Sequence, residues 1–125
     1  MSLFTGLFRK KKTEVPTMPT WETIVEMMFN QELDCYSAEV VAVLYSKDRS
    51  MRYVITKEEN GLLSYQLEAI KQYDQEDWKY ISAHSGALPA MWETYNDIFR
   101  KTIFCHLEEL EKELKVEPEF KQYFL

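Results

Sequence analysis

The chain has 125 residues, 46% hydrophobic, 14% aromatic and 29% charged, with a formal charge of −6. That length and mix specify one folded domain with a real core, not a disordered segment. The only glycines, Gly6, Gly61 and Gly86, exclude glycine-rich phosphate loops, and no apolar run approaches the roughly 20 residues of a membrane span.

Residues 1–12 differ from everything after them. Leu3, Phe4, Leu7 and Phe8 share one face if residues 2–10 turn helical, and Arg9, Lys10, Lys11 and Lys12 follow at once. Such a segment suits shallow attachment to an anionic membrane surface. The bases follow the short apolar part and position 2 is Ser, so neither a secretory signal nor N-myristoylation is expected. Two prolines make residues 13–19 an extended linker. The tail and linker therefore occupy 1–19, and a single domain is expected over 20–125.

Thr20 is a suitable N-cap for a helix to about Glu32, with Trp21, Ile24, Val25, Met28 and Phe29 as its apolar stripe. Residues 38–45 are almost continuously apolar and β-branched, the pattern of a strand covered on both faces. Met51–Lys57 and residues 63–73 flank Glu59-Asn60-Gly61, a hairpin signal. A three-residue loop with Gly61 left-handed sets Met51 against Ala69, Tyr53 against Leu67 and Ile55 against Tyr65. The other face then carries Arg52 opposite Glu68 and Thr56 opposite Ser64. One register thus yields an apolar and a polar face together. Arg52–Glu68 reads as an exposed cross-strand pair, worth less than about 1 kcal/mol. Leu63, Leu67 and Ile70 also fit a helix, and the hairpin signal decides for a strand.

Residues 74–77 read as an acidic turn into a short strand over 78–81, and 84–90 is the longest irregular stretch. Residues 98–104 suit either a fifth short strand or an early helix. From about Cys105 to Lys115 a helix carries Leu107, Leu110 and Leu114 on one stripe. Pro118 then opens a final short helix clamped by Phe120, Tyr123 and Phe124. The expected class is α+β: an antiparallel meander of four or five strands, with an N-terminal and a C-terminal amphipathic helix packed on one face.

The first 13 residues hold four of the fifteen bases and no acid, leaving eleven bases against twenty-one acids, a charge of −10, on the rest. An acidic body repels phosphate backbones, so nucleic acid is not an expected partner. Cys35 and Cys105 form no CxxC, and with His84 and His106 they make no plausible metal-ligand set; no metal or cofactor is expected. Reduced thiols place the chain in the cytoplasm, with the basic tail able to hold it at the inner membrane surface. His84–Ser85 and Cys105–His106 are sequence neighbours, which is not nucleophile–base geometry. The residues therefore suggest a small, non-catalytic intracellular module that binds, and neutralises or regulates, an as yet unidentified protein. Trp78, Tyr80, Trp92 and Tyr95 are the candidate contact residues, since Trp and Tyr favour interface centres. Two alternatives stand beside it: a small-molecule binder or enzyme with a cleft near His84, Trp92 and Glu93, and a peripheral membrane adaptor acting through residues 1–12.

Overall fold

A computed structural model describes residues 16–95 and 103–125. Thr20 caps α1 (Trp21–Met28) by accepting from the Thr23 amide, as its hydroxyl predicts. The helix stops at Met28 and not near Glu32, and Asn30 and Glu32 then adopt left-handed backbone angles of φ 61° and 56°. Four antiparallel strands follow in the order β1 (Glu39–Tyr45), β2 (Met51–Lys57), β3 (Leu63–Gln72) and β4 (Ala90–Thr94). α2 (Gln75–Ile81) joins β3 to β4, and α3 (Leu107–Lys115) and α4 (Pro118–Tyr123) end the chain. The domain is α+β with a four-stranded meander.

The hairpin forms in the register that its side chains specify. Met51 opposes Ala69, Tyr53 opposes Leu67 and Ile55 opposes Tyr65, while Arg52 meets Glu68 and Thr56 meets Ser64. The Gly61 amide donates to Glu58 O and the Glu58 amide to Leu62 O, closing a three-residue loop. Gly61 sits at φ 85°, which strains any residue with a Cβ.

Two expectations for the middle of the chain are corrected. Residues 75–81 are helical, not a strand: the Asp74 carboxylate accepts from the Asp77 amide at 2.8 Å, and Glu76 and Asp77 favour the positive end of the helix dipole. What read as an acidic turn is a helix N-terminus. The fourth strand comes later, at Ala90–Thr94 just after Pro89. Residues 96–102 lie outside the described residues, and with them most of the expected 98–104 element. Phe104 makes an isolated antiparallel bridge to Leu63.

The helices were expected on one face; they cover opposite faces. Met51, Tyr53, Ile55, Leu63, Tyr65 and Leu67 pack against Leu110 and Leu114 of α3, with Phe120 and Phe124 closing the cluster. Full burial of each Leu there stabilises the fold by about 1.5–3 kcal/mol. On the reverse face Ile24, Val25 and Met28 of α1 pack against Ile70, Ala90 and Trp92. The cause is parity: Leu67 and Ile70 lie three positions apart on β3, so they point to opposite sides. Both sides of the sheet are therefore covered, and six of the seven residues of β2 are buried.

That second cover corrects the reading of Arg52–Glu68 as an exposed pair: the Arg52 side chain is fully inaccessible and that of Glu68 is 8% exposed. It also reverses the expectation for β1. The strand that reads as covered on both faces has no fully buried residue and, among the described residues, is an edge strand paired with β2 alone.

Candidate functional site

The charged centre of the molecule lies under the segment that follows α1. Arg52 Nε donates to Glu68 Oε1 at 2.8 Å, and Nη1 to Gln31 O at 2.7 Å and to Tyr45 Oη at 3.4 Å. Nη2 reaches Glu32 O at 3.5 Å, and the guanidinium lies 4.1 Å from the centroid of the Trp92 ring. The other Glu68 oxygen accepts from Tyr36 Oη and from Gln66 Nε2. Burial, and then the neighbouring Glu68 carboxylate, push the Tyr36 phenol far above its ordinary value, which keeps it a donor. Burial works against the Arg52 charge, and the bonds to Tyr45 and Glu68 outweigh it and raise its affinity for the proton.

Arg52, Glu68 and Tyr36 are each bonded within this network to other parts of the chain. It acts as a clip, gripping the carbonyls of Gln31 and Glu32 and so holding the left-handed turn at 30–32 on the sheet. The Glu32 carboxylate in turn accepts from the Trp92 amide at 3.3 Å, occupying part of the outer edge of β4.

β1 presents the opposite situation. Among the described residues it is paired on one side only, and Val41 and Leu44 are 41% and 38% exposed. A bulge between Val40 and Ala42 leaves Ala42–Tyr45 as its regular run. Three hollows border the strand from end to end. Leu44 and Tyr45 form one of about 320 Å³ with Leu114, Phe120 and Phe124, rimmed by Glu111 and Lys115. Val41 forms the next, of about 240 Å³, with Leu63, Leu107 and Cys105, rimmed by Lys57. The third, of about 260 Å³, shares Lys57 and is lined by Glu39, Glu58 and Glu59. The hollows beside β1 thus run from apolar near its end to acidic near its start.

The aromatic candidates do not come together as one surface. Trp78 and Trp92 are each 5% exposed, and their indole nitrogens donate to Pro16 O at 2.7 Å and Met28 O at 2.9 Å. Tyr95 is half-buried and meets Tyr123 edge-on, which leaves only Tyr80 well exposed, at 74%. Trp92 is therefore a core residue and not a surface anchor. Trp92→Phe keeps a ring beneath Arg52 but loses the bond to Met28 O. The expected loss of stability is about 1–2 kcal/mol in urea melts, and an unchanged midpoint is the result that contradicts this placement.

The alternative cleft does not assemble either: Trp92 and Glu93 point to opposite faces of β4, and Glu93 pairs with Lys71 at 3.8 Å. His84 lies exposed in the turn after α2. Leu3, Phe4, Leu7, Phe8 and Arg9–Lys12, expected at a membrane surface, lie outside the described residues. No helix among the described residues is long and apolar enough to cross a membrane, and none of their His, Cys, Asp and Glu side chains form a group able to hold a metal. Cys35 and Cys105 are free and exposed.

Sequence reasoning missed the β1 edge. Its signal was present, a strand without Pro or Lys between Glu39 and Tyr45, but composition does not say whether the neighbour of such a strand is its own sheet or another chain. Compared with known proteins, the chain matches no family model, no curated protein and no solved structure.

Proposed function

We propose that this chain is a non-catalytic binding module that receives an extended segment of a partner protein along the outer edge of β1. β1 carries the reading: its composition is that of a covered strand, yet it stands at an edge with Val41 and Leu44 exposed. Unpaired edge amides and carbonyls are a template for an added strand, and pockets beside the edge supply specificity. Capture of a segment in this way keeps it from its own interactions, which is how such a module neutralises or regulates a partner. The excess of acids favours a protein over a nucleic acid as that partner. Two free, exposed thiols suit a reducing cytoplasm.

A photo-reactive amino acid placed at Leu44, and in a second variant at Tyr80, tests the reading in living cells. Adducts to another protein are expected from position 44 and not from position 80. Adducts from neither position, or equally from both, remove β1 as the interface.

A further inference from the structure

Resting on that reading, we infer that the groove along β1 takes an antiparallel peptide strand with two large apolar side chains at alternate positions and a Lys- or Arg-rich C-terminal end. Three observations point to this partner chemistry. Val41 and Leu44 line hollows that Leu107 and Leu114 of α3 also line, and the extra residue of the bulge between Val40 and Ala42 lets these two residues, three apart, serve one face, so an added strand meets both with residues two apart. Each hollow has the volume to receive a Leu or Phe side chain. Beyond them, at the start of β1, Glu39, Glu58 and Glu59 surround a single base, Lys57.

The acidic end does not make the site. It orients an occupant that the strand edge and the apolar hollows hold. Antiparallel pairing is slightly the more stable arrangement per residue, and it brings the C-terminal end of the added strand beside the start of β1. A cation there finds three carboxylates, in a body whose charge beyond the first 13 residues is −10. Pairing of β1 with the β1 of a second copy is a poorer match, because Glu39–Tyr45 contains an acid and no base. Phosphate-bearing partners are repelled by the same carboxylates.

Two labelled synthetic peptides test the assignment against the full-length protein by fluorescence anisotropy. One alternates Leu and Phe with Thr and ends in Lys-Arg-Lys, and the other is identical but ends in Glu-Asp-Glu. The cationic peptide should bind at least roughly tenfold more tightly, since two or three exposed charge pairs together reach about 1.4 kcal/mol. Glu58→Lys with Glu59→Lys should reverse that ranking. Both residues are exposed and hold the hairpin only through the Glu58 backbone, so the fold is retained. Leu44→Lys should abolish binding of either peptide. Hydrogen exchange should slow at residues 40–44 when the cationic peptide is bound.

A ranking that survives the charge reversal, absence of binding, or protection confined to another element overturns the assignment. So does sedimentation showing β1 already covered by a second copy. If position 44 yields protein adducts in cells while peptide charge makes no difference, the interface stands and its cationic partner falls. If there are neither adducts nor peptide binding, both fall.

Discussion

Glu68→Ala should destabilise the domain by about 3–5 kcal/mol, the usual result of removing one partner of a buried ion pair. At about 4 °C per kcal/mol for a domain of this size, the melting temperature should fall by roughly 10–20 °C. The substitution leaves the fully buried Arg52 guanidinium without its carboxylate and leaves Tyr36 and Gln66 without their acceptor. Arg52 retains the Gln31 and Glu32 carbonyls, but neutral acceptors do not replace a counter-charge in a low-dielectric site. Arg52→Met combined with Glu68→Leu removes both charges and should recover part of the loss. It should not recover the clip, so amide exchange across residues 30–37 should be faster in the double variant than in the native protein. A loss below about 1 kcal/mol for Glu68→Ala is the outcome expected of an exposed cross-strand pair, and it would contradict the burial described here.

The contrast between these two magnitudes marks how far the sequence was legible. The pairing of Arg52 with Glu68 followed from the hairpin, because Gly61 fixes the turn and a one-residue slip moves Tyr53 and Leu67 to the wrong side. Its burial did not follow. The groups that bury it are the carbonyls of Gln31 and Glu32, the Tyr36 hydroxyl and the Trp92 ring, and three of these lie in a segment with no period to read. α2 was legible in principle, through Asp74 and Asp77 at capping distance, and was hidden by reading four acidic and polar residues as a turn. β4 was not, since five residues after a Pro carry little periodicity. The same short-range signals could not say that Trp78 and Trp92 lie inside while Val41 lies outside, because composition places aromatic and β-branched residues at cores and interfaces alike.

Interior and edge divide the work between them. β2 and β3 are pinned on both faces by α1, the 30–37 segment and α3, while β1 adds only Ala42 and Tyr45 to the two core clusters and leaves Val41 and Leu44 exposed. On the proposed reading, an edge strand held on one side is preorganised for addition on the other, and an incoming segment alone would bear the cost of becoming ordered. The clip at Arg52 reaches β1 through Tyr45, whose hydroxyl bonds both Asn30 and Arg52. Loosening the clip should therefore act on the end of β1 as well as on stability.

Leu67→Asp should remove most of the domain's stability at neutral pH. Leu67 is 1% exposed, opposes Tyr53 and belongs to the cluster that Leu110 and Leu114 complete. The substitution removes a buried apolar side chain, opens space among its neighbours and sets a carboxylate in a cluster that holds no base. The first two effects alone cost about 2–5 kcal/mol, and the unpaired charge adds enough to consume most of the stability of an ordinary domain. The pH dependence identifies the charge as the cause. Burial raises the folded-state pKa of the new carboxyl above its unfolded value near 3.9. Its penalty is therefore full above the folded-state pKa and fades as the pH falls towards the unfolded one. Relative to native protein at each pH, the Leu67→Asp variant should recover stability on acidification, whereas Leu67→Asn, polar but not titratable, should show a constant deficit. Circular dichroism melts between pH 7 and pH 5 make the comparison. Equal deficits for the two variants at both pH values would mean that water reaches position 67 and that α3 does not seal this face of the sheet.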